Sequence, residues 1–278
     1  SKDPIKKYPL DPVLQWNFES GLKDQILNLK ANLKNGAAVE NGRLILRKGG
    51  YAVTDNLPIE ISEKTLSSWV QLDNLNQRAG GVISIQNLSG GVFDSIVFAE
   101  KEPRKWMSGS NGFSRTKSFP FTPPENLAHN QLVHIAITYS PEEKITGYRN
   151  GKMYGKPYTT SLFKYQKNKS VLTFGVRHLP ASPQRMLHGS ISRASVYDRA
   201  LTQNEIHAIF HPDSYVSLKE AEKSLSSEEM NLYTKLTAQR DSLEKRLQEL
   251  ETTVVADKPN LQDFALALFN MKEFIYLK

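Results

Sequence analysis

The stretch "LHGSISRASVYDRALTQNEI", residues 187–206, decides the fold. Its segment "GSISRASVY" sets β-branched and aromatic residues among small polar ones, as a half-buried strand does. At Leu201 the pattern changes. Thr202 offers an N-cap oxygen and Glu205, three residues on, completes a capping box that opens "TQNEIHAIF" as a short helix. A strand hands over directly to a capped helical turn, and no helical pattern of real length precedes it.

Upstream, short apolar or alternating runs recur: "PVLQWNF", "RLILR", "TLSSWVQL", "GVISIQ", "FDSIVFA", "LVHIAITY", "ITGYRNG" and "SVLTFGV". Gly, Asn, Asp and Pro separate them at sandwich-like intervals. Asn150-Gly151 predicts a two-residue type I′ hairpin, because both central positions need positive φ. No internal repeat stands out. These features predict a mainly β fold over residues 13–212, after a polar, Pro-bearing linker at 1–12. The expected core comprises Trp16, Phe18, Trp69, Val70, Ile83, Ile85, Val97, Ile135, Ile137, Leu172, Phe174, Ile191 and Val196.

Downstream, residues 213–278 predict a helical, coiled-coil-like segment. Ser226 and Glu229 form a second capping box, and Tyr233, Leu236, Leu243, Leu247, Leu250 and Val254 follow a 3,4 spacing interrupted by Arg240. A last helix starts at Asn260. Twelve of its seventeen residues from Leu261 to Leu277 are apolar or aromatic, so it demands cover. The sandwich, a missing parent domain or a second copy of the chain could each supply that cover.

Composition narrows the function. The 278 residues contain no cysteine, which removes disulfides, thiol catalysis and Cys-based zinc sites. No apolar run reaches eighteen residues, so no transmembrane helix is expected. The net charge is +7, and ten Lys/Arg with no Asp/Glu fall between Lys144 and Tyr197. An acidic polysaccharide is one partner such a surface could meet; a solvated basic face is the other reading. Neither a P-loop nor a Gly-rich strand-to-helix fingerprint occurs, and no nucleic-acid partner is expected.

At "WNFE", "TLSSWVQL", "LVHIAITYSPEEKITGYRNGK", "LTFGVRH" and "LHGSISRASVYDRALTQNEI" the chain resembles the laminin G-like, concanavalin A-like jelly-roll superfamily. The resemblance implies two antiparallel sheets of about six or seven strands each, packed face to face, here with a C-terminal α-helical pair. A narrower resemblance is carried by "NQRAGGVISIQ", "VFDSIVFAEKEPRKWMSGSNGFSRT", "YGKPY", "FGVRH" and "LQDFALALFNMKEFIYLK". These are similar to the C-terminal part of large planctomycete-type, cytochrome-associated proteins of unknown function. That resemblance implies an exported protein, periplasmic or on the cell surface. The C-terminal helices would dock on the rest of that parent or on a second copy. The haem motif of those proteins is absent here.

Several residues are candidates for a site. Asp94 and Glu100 would lie roughly 20 Å apart on an extended strand. Paired carboxylates of glycosidases stand about 5–9.5 Å apart, so only Glu100 and Glu102, at roughly 7 Å, could form a catalytic pair. Pro103 and the bases Lys101, Arg104 and Lys105 around them point instead to a salt-bridged turn. The expected function is therefore a non-catalytic recognition or scaffolding module with a carbohydrate ligand. A jelly-roll glycosidase and a non-specific polyanion binder are the alternatives. Candidate ligand contacts are Asp94, Glu100, Arg104, Trp106, Arg177 and His178. Trp106 could stack on a sugar face or fold back over the sandwich edge with its indole N–H bonded. Arg177-His178 could contact a ligand or pair with a neighbouring strand. No cofactor is expected apart from a structural Ca2+ ion, for which Glu19, Asp24, a carbonyl near Gly42 and Asp198 are candidate ligands. No zinc spacing occurs among the six histidines.

Overall fold

The computed structural model describes residues 10–211 and 226–253. The last helix read at 261–277 and most of the linker lie outside them. The chain divides into two units, a sandwich with its closing helix and a long helix, each described by itself.

The sandwich contains β1 (Leu14–Trp16), β2 (Ala31–Lys34), β3 (Ala38–Glu40), β4 (Arg43–Leu46), β5 (Tyr51–Thr54), β6 (Lys64–Leu72), β7 (Gly80–Asn87) and β8 (Phe93–Phe98). Then follow β9 (Trp106–Ser110), β10 (Val133–Tyr139), β11 (Lys144–Arg149), β12 (Lys152–Met153), β13 (Tyr158–Thr159), β14 (Ser170–Phe174) and β15 (Gly189–Tyr197). One sheet runs β12-β11-β10-β6-β15-β4-β3, with β1 on β15 and β13 on β11; the other runs β2-β5-β14-β7-β8-β9. Every strand pair among them is antiparallel. The sheets hold nine and six strands rather than six or seven each, because the first sheet gains the two-residue strands β12 and β13 along β11.

The two central strands of the larger sheet, β6 and β15, are far apart in sequence, and β15 carries a register shift between Ile191 and Arg193. Pairing them closes a long loop, at an entropic cost that grows only slowly with its length. The expected Asn150-Gly151 turn forms between β11 and β12, with φ of 50° and 75°. A second such turn, Asn41-Gly42, joins β3 to β4.

Strand alternation sends Leu44, Leu46, Leu66, Val70, Leu72, Ile135, Ile137, Ile191 and Val196 inward from one sheet. Ile83, Ile85, Ile96, Phe98, Leu172 and Phe174 meet them from the other. Trp16 and Phe18 both pack edge-on against Phe174, with ring centroids 5.3 and 6.0 Å apart. Burial of each such side chain contributes about 1.5–3 kcal/mol.

Trp69 departs from the expected core. On β6 it has the opposite parity to Val70, so it lies on the outer face, stacked on Phe210 at 5.3 Å and tilted against His134. The closing helix α1 (Gln203–Phe210) makes that outer face locally dry. Ile206 and Ile209 bury against Ala136, Tyr148, Tyr197, Leu201 and Leu10, the last of which falls within the predicted linker. Thr202 and Glu205 form the predicted capping box. The long helix α2 (Ser227–Thr253) begins at the second predicted box, with Ser226 N donating to Glu229 and Glu229 N to Ser226 Oγ. Among the described residues, no helix is long and apolar enough to cross a membrane.

Candidate functional site

On β8, Asp94, Ile96 and Phe98 share one parity, so Asp94 points between the sheets and not to a rim. It is 1% exposed and meets Lys64 Nζ at 3.1 Å and Arg115 Nη2 at 2.9 Å. Tyr139 and Tyr165 flank the Lys64 ammonium, their ring centroids 4.5 and 5.2 Å from Nζ. Burial lowers the lysine pKa and Asp94 opposes that shift; burial, then Asp94, pushes both tyrosines well up. The group is a buried ion cluster without an opening for ligand, which corrects the reading of Asp94 as a ligand contact. Parity with Ile96 and Phe98 was the one sequence signal for it.

Glu100 and Arg177 are brought together in an ion pair, with Arg185 Nη1 3.4 Å from the same carboxylate and Arg78 donating to the Glu100 carbonyl. Glu100 is buried, whereas Glu102 sits on the surface, 2.7 Å from Lys105, whose hydrogen bond lowers the Glu102 pKa, followed by that of Ser118. A general acid needs a raised pKa. Glu100 and Glu102 thus occupy separate environments, each held by cations.

Trp106 is 2% exposed. Its face packs on Phe98 at 4.8 Å, and its indole N–H donates to Glu125 Oε2 at 2.8 Å. That leaves no ring face for a sugar, so the fold-back reading of Trp106 replaces the stacking one. Glu125 also receives two bonds from Arg149, at 2.7 and 2.8 Å, and the backbone N–H of Leu127. Against burial, these donors bring its pKa down to about 2. Arg104, at φ 58°, donates to the Glu125 carbonyl and to Asn126, so it pins the same loop.

The segment from Gly175 to His188 folds over the outer face of the smaller sheet. Ser84 and Thr173 donate to the Val176 carbonyl, Leu179 N donates to Gln86, and His178 stacks on Phe93 at 4.7 Å. Gly80 and Gly81 permit this approach: a Cβ at either would come within 2.6 Å of the Leu187 or 2.5 Å of the Arg177 Cα. Burial lowers the His178 pKa. Arg177 and His178 therefore anchor a strap, which is the neighbouring-strand reading of that pair.

Of the candidate calcium residues, Glu19 and Gly42 are brought against each other. The Asp24 carboxylate accepts the backbone N–H groups of Ile26, Leu27 and Leu29 at 2.6–3.3 Å, which fixes a tight loop and uses its lone pairs. Asp198 is exposed. Among the described residues, no three of His, Asp or Glu cluster to hold a metal.

An open groove of about 490 Å³ lies on the outer face of the larger sheet, which sequence reasoning missed. Its floor comes from outward positions: Arg43 and Ile45 of β4, Gln71 of β6 and Ser190 of β15. Glu40, Asn41, Arg47, Leu72, Asp73 and His129 complete it. Arg43 Nη1 donates to Gln71 Oε1 at 3.1 Å, Gln71 Nε2 to the His129 carbonyl at 3.4 Å, and Arg47 stands 3.6 Å from Asp73. Two arginines face two carboxylates, so the formal charge balances. Planar forks of donors and acceptors side by side suit vicinal hydroxyl groups.

Residues 46–207 match the family model of the concanavalin A-like lectin/glucanases superfamily, laminin G type, and the chain belongs to that superfamily. Domain 4 of the extracellular GH43 arabinanase AbnA from Geobacillus stearothermophilus, solved with arabinotriose, superposes with a TM-score of 0.55 at 14% identity. That match covers 72% of this chain and 98% of that one. A sialidase from Trypanosoma rangeli gives a TM-score of 0.54 at 17% identity, over 72% of this chain and 32% of that one. At these identities the likeness is one of fold, shared by binding domains and glycosidases. No curated protein matches the chain in sequence.

Proposed function

We propose that this chain is a non-catalytic recognition module that binds a neutral carbohydrate in the groove of Arg43, Gln71 and Ser190. The observation that carries the reading is that groove: about 490 Å³, open, charge-balanced and lined by forked hydrogen-bonding side chains. Its volume falls in the range of ligand sites, and its polarity matches a hydroxyl-rich ligand. The near-complete coverage of the arabinanase domain 4, itself solved with arabinotriose, supports a sandwich that works as an accessory domain. The cation-held Glu100 and Glu102 favour recognition over hydrolysis. The charge balance of the groove favours a neutral sugar over a polyanion, despite the basic surface elsewhere. An exported, multidomain parent of planctomycete type, suggested by the sequence resemblance, would give such a module its setting.

The test is a panel of neutral and sulfated polysaccharides, scored for binding and for reducing-end release in the same mixtures. Binding of a neutral glycan that changes little with salt and is lost in Arg43→Ala is the expected result. Sugar release abolished by Glu100→Gln would make the module a glycosidase. Binding only to sulfated chains, steeply weakened by salt, would make it a polyanion binder.

A further inference from the structure

The long helix α2 presents a row of large apolar side chains to solvent: Tyr233 is 38% exposed, Leu236 54% and Leu243 61%. Its 27 residues span roughly 40 Å. With Tyr233 at heptad position a, every d position within the helix from there on is leucine, at 236, 243 and 250. Leucine at d builds a coiled-coil seam, and one polar residue at an a position, here Arg240, specifies register and oligomer state at some cost in stability.

The flanking positions give the orientation. Position 246 is arginine at g, and position 251 is glutamate at e. In a parallel, in-register pair each g position faces the next e position of the other helix, so arginine meets glutamate twice by symmetry. In an antiparallel pair e faces e and g faces g, so Arg246 no longer meets Glu251.

We propose that α2 pairs with α2 of a second copy as a parallel, in-register two-stranded coiled coil. Two copies of the groove in one dimer would engage a repetitive polysaccharide with avidity. That consequence rests on the recognition reading; the dimer does not, so its test requires no glycan.

Light scattering of the whole chain should give about twice the 31.4 kDa of one copy. The natural absence of cysteine makes orientation testable. Leu236→Cys should form an interchain disulfide under mild oxidation, and Ala238→Cys, at the outward f position, should not. In an antiparallel pair centred on residue 243 the two 236 positions would lie about 21 Å apart, too far to bridge. Arg246→Glu and Glu251→Arg should each weaken the dimer about tenfold, and the double reversal should restore it. A wild type that stays monomeric at tens of micromolar overturns the proposal. So does a dimer that Leu236→Cys cannot cross-link, or a double reversal no tighter than the singles.

Discussion

Glu125 offers the sharpest quantitative test of how the sandwich edge is held. Its side chain is fully buried, it accepts from Trp106, Arg149 and Leu127, and its pKa falls from 4.5 to about 2. The depressed value means the unfolded chain binds the proton more readily than the folded one. The stabilisation is therefore complete above pH about 4.5 and is lost as pH falls toward 2. At about 1.36 kcal/mol per pKa unit the shift is worth roughly 3 kcal/mol. Arg149 is 22% exposed, and solvent screening reduces this to about 2 kcal/mol. Urea unfolding of wild type and Glu125→Gln at steps from pH 7 to pH 2.5 reads it directly. Wild type should be more stable by about 2 kcal/mol at pH 7, and the two curves should converge in acid. A variant within 0.5 kcal/mol of wild type at pH 7, or a difference that persists at pH 2.5, would refute the assignment.

Three further outcomes follow from the same packing. Asp94→Ala strands Lys64 and Arg115 without their carboxylate and should cost about 3–5 kcal/mol in chemical denaturation. His134 is fully buried, with its pKa pushed down to about 3. The unfolded chain thus takes up the extra proton below pH 6.5, and wild type should lose about 2 kcal/mol between pH 6.5 and 5 that His134→Gln does not lose. Gly81→Ala drives a Cβ into the Arg177 backbone and should loosen the strap over the smaller sheet. Faster hydrogen exchange at 176–187 would register this, with β10 and β15 unchanged.

The fold was legible because alternation, Asn-Gly turns and the capping box at Thr202 are local signals that agree with one another. Trp69 was misplaced because a Trp in a strand reads as core on either face; its parity opposite Val70 decides the matter only once α1 is known to cover that face. The candidate ligand residues clustered around "AEKEPRKW" because that run is dense in charge and aromatic character. There the charges serve one another: Glu100 with Arg177 and Arg185, and Glu102 with Lys105. Arg104 and the Trp106 indole instead pin the loop at Glu125. The groove was illegible for the converse reason. Arg43, Gln71, His129 and Ser190 come from separate parts of the chain, each an ordinary outward residue, and only the pairing of β4 and β6 on either side of β15 assembles them.

Chemical-shift mapping locates the glycan on the sandwich. The amides of the whole chain are followed while the neutral glycan that scores highest in the polysaccharide panel is titrated in. Saturable shifts confined to residues 40–47, 71–73, 129 and 190 are expected, together with their loss in Arg43→Ala. Shifts centred on residues 100–106 and 177–178, or none at ligand saturation, would contradict recognition in the groove.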